Sequence, residues 1–302
     1  MKTILKKTIQ LLFIALVLAS CSKSGDEPTP TEIQTDVYVI GHKNVAGRGN
    51  TGKIWKNGTL LYTLPEAEVF GIYVSGEDVY VAGTVYNERK VAMLWKNGTP
   101  QALTDGTNRS EAGSVYVAGT DVYVAGYEFK SSGGSVATVW KNGIAHKLTD
   151  GSTIAIAQSM YVSGTDVYVA GFESNNSTPA VAKLWKNGFA QDLTNGTHYA
   201  FAHSVYVSGT DVYVAGFESY SSGNSVAKLW KNGIAQDLTN SNFYSEANSV
   251  FVSGGDAYVA GWEYNNEVSS AKVWKNGEVL YDLTTPGEEI HPTGVFVVQT
   301  EK

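Results

Sequence analysis

Ten side chains in the variable stretches of this chain could hold a ligand: Glu111, Gln158, Tyr199, Phe201, His203, Phe243, Tyr244, Glu246, Asn248 and His291. Aromatic rings with amide and carboxylate neighbours suit a carbohydrate or a peptide, since a ring face takes up apolar surface while polar groups fix orientation. Glu111, Glu246 and His203 could instead supply acid and base to a glycoside hydrolase or lyase, if they converge from separate parts of the chain. Other chemistry finds little footing. The five histidines, His42, His146, His198, His203 and His291, show no metal-ligand spacing. No G-x-S-x-G, phosphate loop or D-x-D-x-D-G calcium loop is present, so no catalytic nucleophile, metal or cofactor is expected.

What positions these residues is a repeat. "WKNG" begins at Trp55, Trp95, Trp140, Trp185, Trp230 and Trp274, with spacings of 40, 45, 45, 45 and 44. "D-x-Y-V-x-G" begins at Asp36, Asp78, Asp121, Asp166, Asp211 and Asp256, which makes six copies of one unit. In the copy from Ser159, "SMYVSG" reads as an inner strand a, "DVYVAGFE" as b, "AVAKLWK" as c and "FAQDLT" as d. "SGTD" and Asn-Gly supply the hairpin turns. Strands that are apolar on both faces must be covered on both faces, so neighbouring copies are expected to stack.

This period predicts an all-β, six-bladed β-propeller over residues 36–302. The body opens at Asp36 with a strand b that lacks a strand a. It ends on "TGVFVV", residues 293–298, a strand a that lacks a strand b. Pairing of Val295–Val298 with Val37–Ile40 would close the ring and leave no orphan edge; the alternative is an open solenoid.

The repeated residues read as scaffold. A tryptophan shared by every copy is expected between blades rather than as a sugar platform. A b-to-c register with Gly171 opposite Trp185, and likewise Gly126/Trp140, Gly216/Trp230 and Gly261/Trp274, would make room for each indole. The same register sets Glu173, Glu218 and Glu263 opposite Lys183, Lys228 and Lys272, so cross-strand ion pairs account for a carboxylate series that could pass for a metal ring. Glu128 then faces Thr138. The repeated aspartates are expected to bond local backbone in their turns.

Function is expected where the copies differ. The a-to-b and c-to-d turns are nearly constant, whereas the b-to-c loops ("ESNNSTPA", "ESYSSGNS") and d-to-a loops ("THYAFAH", "SNFYSEAN") vary. In an up-and-down meander both variable sets lie at one end, around the channel mouth. Gly71, Gly113, Gln158, His203, Asn248 and Thr293 should stand at its rim, with Glu111, Ile156, Phe201, Glu246 and His291 two residues further back.

The beginning of the chain gives an address. Lys2, Lys6 and Lys7, the apolar "LLFIALVL" and Ala19-Ser20 have the layout of a secretory signal over residues 1–20, too short in its apolar run to span a bilayer. Cys21, the single cysteine, follows, and "L-A-S-C" resembles a bacterial lipobox, which implies a lipidated Cys21. Residues 21–35, acidic and proline-containing, read as a flexible linker. Loss of the signal removes three lysines and leaves 19 basic against 29 acidic side chains, which argues against nucleic acid or anionic lipid as partner. The paired "VYVSG-TDVYVAG" and the "WKNG" turn resemble repeats of β-propeller lipoproteins of Gram-negative bacteria over residues 36–298. That resemblance implies the fold and an outer-membrane lipoprotein on the periplasmic or cell-surface side. The expectation is a monomeric binding or interaction module that touches the membrane only through lipid; a hydrolase or lyase, and a structural surface protein without a small ligand, are the alternatives.

Overall fold

The computed structural model describes residues 36–45, 49–175, 177–220, 223–264, 268–283, 292–295 and 297. Cys21, the signal and the linker fall outside them. β1 (Tyr38–Val45), β2 (Gly49–Lys56) and β3 (Thr59–Pro65) form a three-stranded sheet. The four-stranded meander β4 (Ala67–Ser75), β5 (Asp78–Asn87), β6 (Arg89–Lys96) and β7 (Thr99–Ala102) follows. The next meander is β8 (Ser110–Ala118), β9 (Asp121–Phe129), β10 (Ser135–Lys141) and β11 (Ile144–Lys147). After it come β12 (Ile154–Ser163), β13 (Asp166–Ser174), β14 (Val181–Lys186) and β15 (Phe189–Asp192), tied to the preceding sheet by a single parallel bridge, Ser135 to Ile154. β16 (Tyr199–Ser208), β17 (Asp211–Ser219), β18 (Ser225–Lys231) and β19 (Ile234–Asp237) make another, and β20 (Tyr244–Ser253), β21 (Asp256–Tyr264), β22 (Ser269–Lys275) and β23 (Glu278–Asp282) the last. The inner strands β4, β8, β12, β16 and β20 neighbour one another in order, giving a propeller-like ring of small sheets.

The constant turns explain why the two repeated motifs travel together. Asn187 and Gly188 both adopt positive φ, 52° and 86°, the type I′ turn that suits the twist of a hairpin. The Asn187 side chain is used twice. Its Oδ1 accepts the Val167 N–H at 2.8 Å and its Nδ2 donates to Asp166 at 2.8 Å, so the c-to-d turn caps the start of strand b. Lys186 completes the group with an ion pair to Asp166 at 2.8 Å while lying over the Tyr168 ring. The same arrangement recurs at Asp78, Asp121, Asp211 and Asp256. The aspartates therefore bond side chains of the adjacent strand c and its turn, not their local backbone as expected from sequence. The Lys186 and Asn187 contacts hold the Asp166 carboxyl below the usual carboxylate range. Because that value is depressed on folding, the stabilisation is complete above the unfolded carboxylate range and is lost as pH falls through the folded value.

Apolar faces meet between blades. Tyr168, Ala170, Ala182 and Leu184 of one meander pack on Ala202, Val205, Val207, Val214 and Trp230 of the next. Trp95, Trp140, Trp185, Trp230 and Trp274 are all buried, as packing tryptophans should be. Trp55, on the three-stranded sheet, is half-buried. The inner strands are also linked by serines: Ser114, Ser159 and Ser204 Oγ accept the N–H of Met160, Val205 and Val250 on the next inner strand at 3.2–3.3 Å.

The b-to-c register differs from the expectation by two residues. Gly171 pairs with Lys183 and Val169 with Trp185; Gly126, Gly216 and Gly261 likewise pair with Thr138, Lys228 and Lys272. The physical reason lies on the other side of the glycine. Each inner strand carries a β-bulge, between Ala157 and Ser159 in β12, and the bulge pushes the Ile156 carbonyl onto Gly171, where any Cβ would overlap it. The glycine makes room for the bulge, not for the indole. The ion pairs survive on the diagonal, Lys183–Glu173 and Lys228–Glu218 at 3.2 Å and Lys272–Glu263 at 3.3 Å, because lysine reaches a neighbour two residues along. Glu128 pairs across with Val136 rather than Thr138 and takes the Asn108 amide at 3.4 Å.

At the C-terminal end, Val295 N–H donates to Ser249 Oγ at 3.1 Å and the Pro292 carbonyl accepts Asn248 Nδ2 at 2.9 Å. Among the described residues no ladder joins this segment to β1; Phe296 and Val298, two of the four residues expected to pair with Val37–Ile40, lie outside them.

Asn187→Ala places a Cβ-bearing residue without a local hydrogen-bonding side chain at positive φ and strips the cap from Val167. A loss of about 1–2 kcal/mol is expected in denaturant unfolding, with Asn187→Gly losing less, since glycine keeps the turn and forfeits only the side-chain bonds.

Candidate functional site

The bulge builds the site. One extra residue on each inner strand has no cross-strand partner, and these residues are Phe70, Gly113, Gln158, His203 and Asn248. In the first copy the bulged residue is Phe70, not the Gly71 expected at the rim. The candidate residues Glu111, Gln158, Tyr199, Phe201, His203, Tyr244, Glu246 and Asn248 all lie on inner strands rather than on loops, because these strands continue through the bulge to start at Ser110, Ile154, Tyr199 and Tyr244.

Phe201, His203, Tyr244, Glu246 and Asn248 come together. Phe201 meets Phe172 edge-on at 4.5 Å between centroids and stacks on Phe217 at 5.1 Å. His203 touches Phe217 at 5.4 Å, and Tyr244 lies between Phe217 and Trp262 at 6.3 and 5.3 Å. Tyr244 donates its hydroxyl to Glu246 Oε1 at 2.7 Å; burial first, then this carboxylate, raises the phenol's titration. Asn248 spends its Nδ2 on Pro292, so its Oδ1 is the acceptor for His203 Nδ1 at 3.3 Å, which sets the proton on Nδ1. Burial lowers the His203 imidazole below its ordinary range against the pull of Glu246, which favours the neutral ring.

Glu111 and Gln158 form a second part of the same end. With Phe70, Gly113, Tyr127 and Ile156 they line a cavity of about 300 Å³. Glu111 is held by Arg109 at 2.6 Å and faces Lys90 at 3.5 Å. Gln158 Oε1 is buried and has no hydrogen-bond partner. Burial, then Glu111, raises the Tyr127 phenol. Further along the inner strands, Tyr73, Tyr116, Tyr161, Tyr206 and Phe251 touch in sequence at 4.8–5.0 Å between centroids, one aromatic per blade.

Tyr199 opens β16 and is exposed, and half-buried Phe243 gives its carbonyl to Ser225 N–H at 3.2 Å, so both flank the cluster rather than join it. His291 lies outside the described residues. Sequence reasoning missed Phe70, Tyr127, Phe172, Phe217 and Trp262. The last four pair directly with Glu111, Ile156, Phe201 and Glu246. Their signal was the residue following the strand-b glycine, aromatic in four consecutive copies. No group of three metal-ligating side chains occurs among the described residues.

No protein-family model matches the sequence, and no curated protein is similar to it. Among solved structures, TolB from Acinetobacter baumannii aligns with a TM-score of 0.54 at 14% identity, covering 83% of this chain and 64% of its own. A structure from an analysis of two prolyl endopeptidases gives 0.51 at 12% identity, covering 84% and 43%. The chain thus spans less than two thirds of either protein. A putative TolB from Agrobacterium tumefaciens aligns over 83% of this chain and 91% of its own at 14% identity, with a TM-score of 0.49. At these identities the likeness is one of fold.

The bulge makes the aromatic cluster sensitive to a remote methyl group. Gly216→Ala would drive a Cβ into the Phe201 carbonyl; a cost of about 1–3 kcal/mol is expected, with near-ultraviolet circular dichroism reporting displacement of the Phe201–Phe217 pair.

Proposed function

We propose that this chain is a six-bladed propeller of the bacterial cell envelope, tethered through lipid on Cys21, that binds a carbohydrate or peptide at the mouth of its central channel. The observation that carries this reading is the collar of bulged and cross-strand side chains around the cavity beside Gln158. A buried acceptor without a partner costs about 1–3 kcal/mol, which a ligand hydroxyl or N–H would recover. Aromatic faces flank it, and Glu111 and Arg109 add a charged rim. The volume suits one sugar ring or one side chain of a longer ligand. Both carboxylates proposed as acid and base are already engaged, Glu111 by Arg109 and Glu246 by Tyr244, which favours binding over catalysis.

The serine series supports six blades. Val295 N–H meets Ser249 as Val250 N–H meets Ser204, which is the contact that a closing inner strand after β20, the one the three-stranded sheet lacks, would make.

Replacing Phe201, His203, Tyr244 and Glu246 together with alanine is expected to abolish ligand capture in a glycan and peptide array while the protein still melts cooperatively. Trp185→Ala should act on the scaffold instead, costing about 3–5 kcal/mol through the cavity it leaves. Retained capture by the four-alanine protein would refute the mouth as the site. For the anchor, Cys21→Ser should release the protein from the membrane fraction and end incorporation of labelled fatty acid.

A further inference from the structure

The end of the molecule that carries the constant turns is also the end at which the body begins. Val37 donates its N–H to Asn57 Oδ1 at 2.8 Å and its carbonyl accepts the Asn57 N–H at 2.8 Å, so the chain from Cys21 joins the body beside the first Asn-Gly turn. The stretch between Cys21 and Val37 can separate the two by at most about 55 Å, however it runs. The mouth lies a strand further off, about 30 Å for the nine residues of β13.

The same end exposes apolar side chains that the fold does not require. The first residue of strand d, directly after the Asn-Gly turn, is Thr59, Thr99 or Glu278 in three copies, but Ile144, Phe189 and Ile234 in three consecutive blades. At 68%, 81% and 76% exposure these are the most exposed large apolar side chains among the described residues. Each stands across the c-to-d ladder from a lysine, Lys141, Lys186 or Lys231. That lysine is already paired with Asp121, Asp166 or Asp211 at 2.7–2.8 Å. The result is one apolar side chain per blade, each beside a closed charge pair, with exposed polar turn residues such as Thr165 and Thr210 at the same end.

We propose that the constant-turn end rests on the lipid bilayer, with Ile144, Phe189 and Ile234 entering the headgroup layer, so that the mouth faces away from the membrane. The inference rests on the lipid anchor at Cys21 and adds to it a contact made by the body itself. The three side chains are one register position repeated from blade to blade. They recur at the spacing of the blades instead of gathering into the contiguous core that a protein interface needs. A fluid headgroup layer takes up each one separately. The lysine stems beside them lie along the apolar layer while their ammonium groups stay at headgroup level. Because each lysine is closed by its aspartate, the contact needs no anionic lipid, in keeping with the excess of ten acidic side chains after loss of the signal. The anchor holds this end at the surface, so three shallow insertions suffice to orient a body that they would not capture from solution.

The sibling copies supply the control substitution, since threonine already opens strand d at Thr59 and Thr99. The lipidated full chain is reconstituted in phosphatidylcholine vesicles with a nitroxide on Thr165→Cys at this end or on Tyr199→Cys at the mouth end. Flotation with the vesicles reads the anchor, and relaxation by oxygen against a water-soluble nickel chelate reads lipid contact. The Thr165→Cys label should show an oxygen-to-nickel ratio several-fold above that of the Tyr199→Cys label, unchanged at high salt because the nearby charges are paired. A chain carrying Ile144→Thr, Phe189→Thr and Ile234→Thr should float and melt as the parent does, while the ratio at the Thr165→Cys label falls to that at the mouth. If this triple variant unfolds, Phe189→Thr alone should lower the ratio. A chain that fails to float would remove the anchor and with it the orientation. Flotation with both labels equally open to water, an unchanged ratio in the folded threonine variants, or spin–spin broadening between copies labelled at Thr165→Cys would overturn the proposal with the anchor intact.

Discussion

The structure turns on one close approach, where an inner-strand carbonyl stands in the space that a Cβ on the strand-b glycine would need. Ile156 on Gly171 and Phe201 on Gly216 are two instances of a geometry found in five consecutive sheets. Only a residue without a Cβ admits the extra backbone of a bulge there. The bulge in turn does two things at once. It releases Gln158, His203 or Asn248 from the ladder, and it leaves Ser114, Ser159 or Ser204 one residue later, where each accepts the N–H of the next blade. The freed side chains and the link between blades thus share a single cause, which ties the integrity of the ring to the shape of its mouth.

The opposite end of each blade works under the reverse condition. Every polar atom of the Asn187 side chain is committed, the Asp166 carboxylate is shared between Lys186 and Asn187, and Trp185 is buried against the preceding blade. A substitution in that group breaks several bonds together, so the turns repeat almost letter for letter. The mouth has no such closed set of bonds. Its side chains pack by ring contacts, which accept phenylalanine, tyrosine or tryptophan at one position, and the copies diverge there without loss of the scaffold.

Much of this was legible in the sequence. The period, the Asn-Gly turns and the packing role of the tryptophans follow from spacing, because each is a local property repeated in every copy. The b-to-c register was not, since pairing glycine with tryptophan weighs only one neighbour of the glycine, and the decisive neighbour lay in strand a. A signal was nevertheless present. In "YAFAHSVYV" the buried positions Ala200, Ala202, Val205 and Val207 change parity between His203 and Ser204, as a strand must when it bulges. Reading that break as a loop made Phe201 and His203 loop residues, and hid Phe217, which faces Phe201 across the ladder. The C-terminal segment was legible as a repeat fragment, and residues 292–295 meet β20 through Asn248 and Ser249.

Near-identical copies also let a compensated change be told from drift. In the β16–β19 blade, Lys228 is buried between Glu218 at 3.2 Å and Asp237 at 2.6 Å. Desolvation lowers its titration, but the bonds to Asp237 and Glu218 outweigh it and the net shift is upward. Loss of the lysine alone would leave two carboxylates facing each other without a cation, a costly arrangement in partly buried surroundings. The β8–β11 blade has lost its lysine to Thr138 and has exchanged the aspartate for Lys147 as well, while the remaining Glu128 takes the Asn108 amide. Random loss of one member predicts a strained remnant. What stands there is a cation moved one strand outward, with Lys147 opposite Thr138 on the Trp140 face of the sheet. Both members of the ion pair have changed together and Glu128 keeps a partner, which marks a compensated change and not an eroded copy.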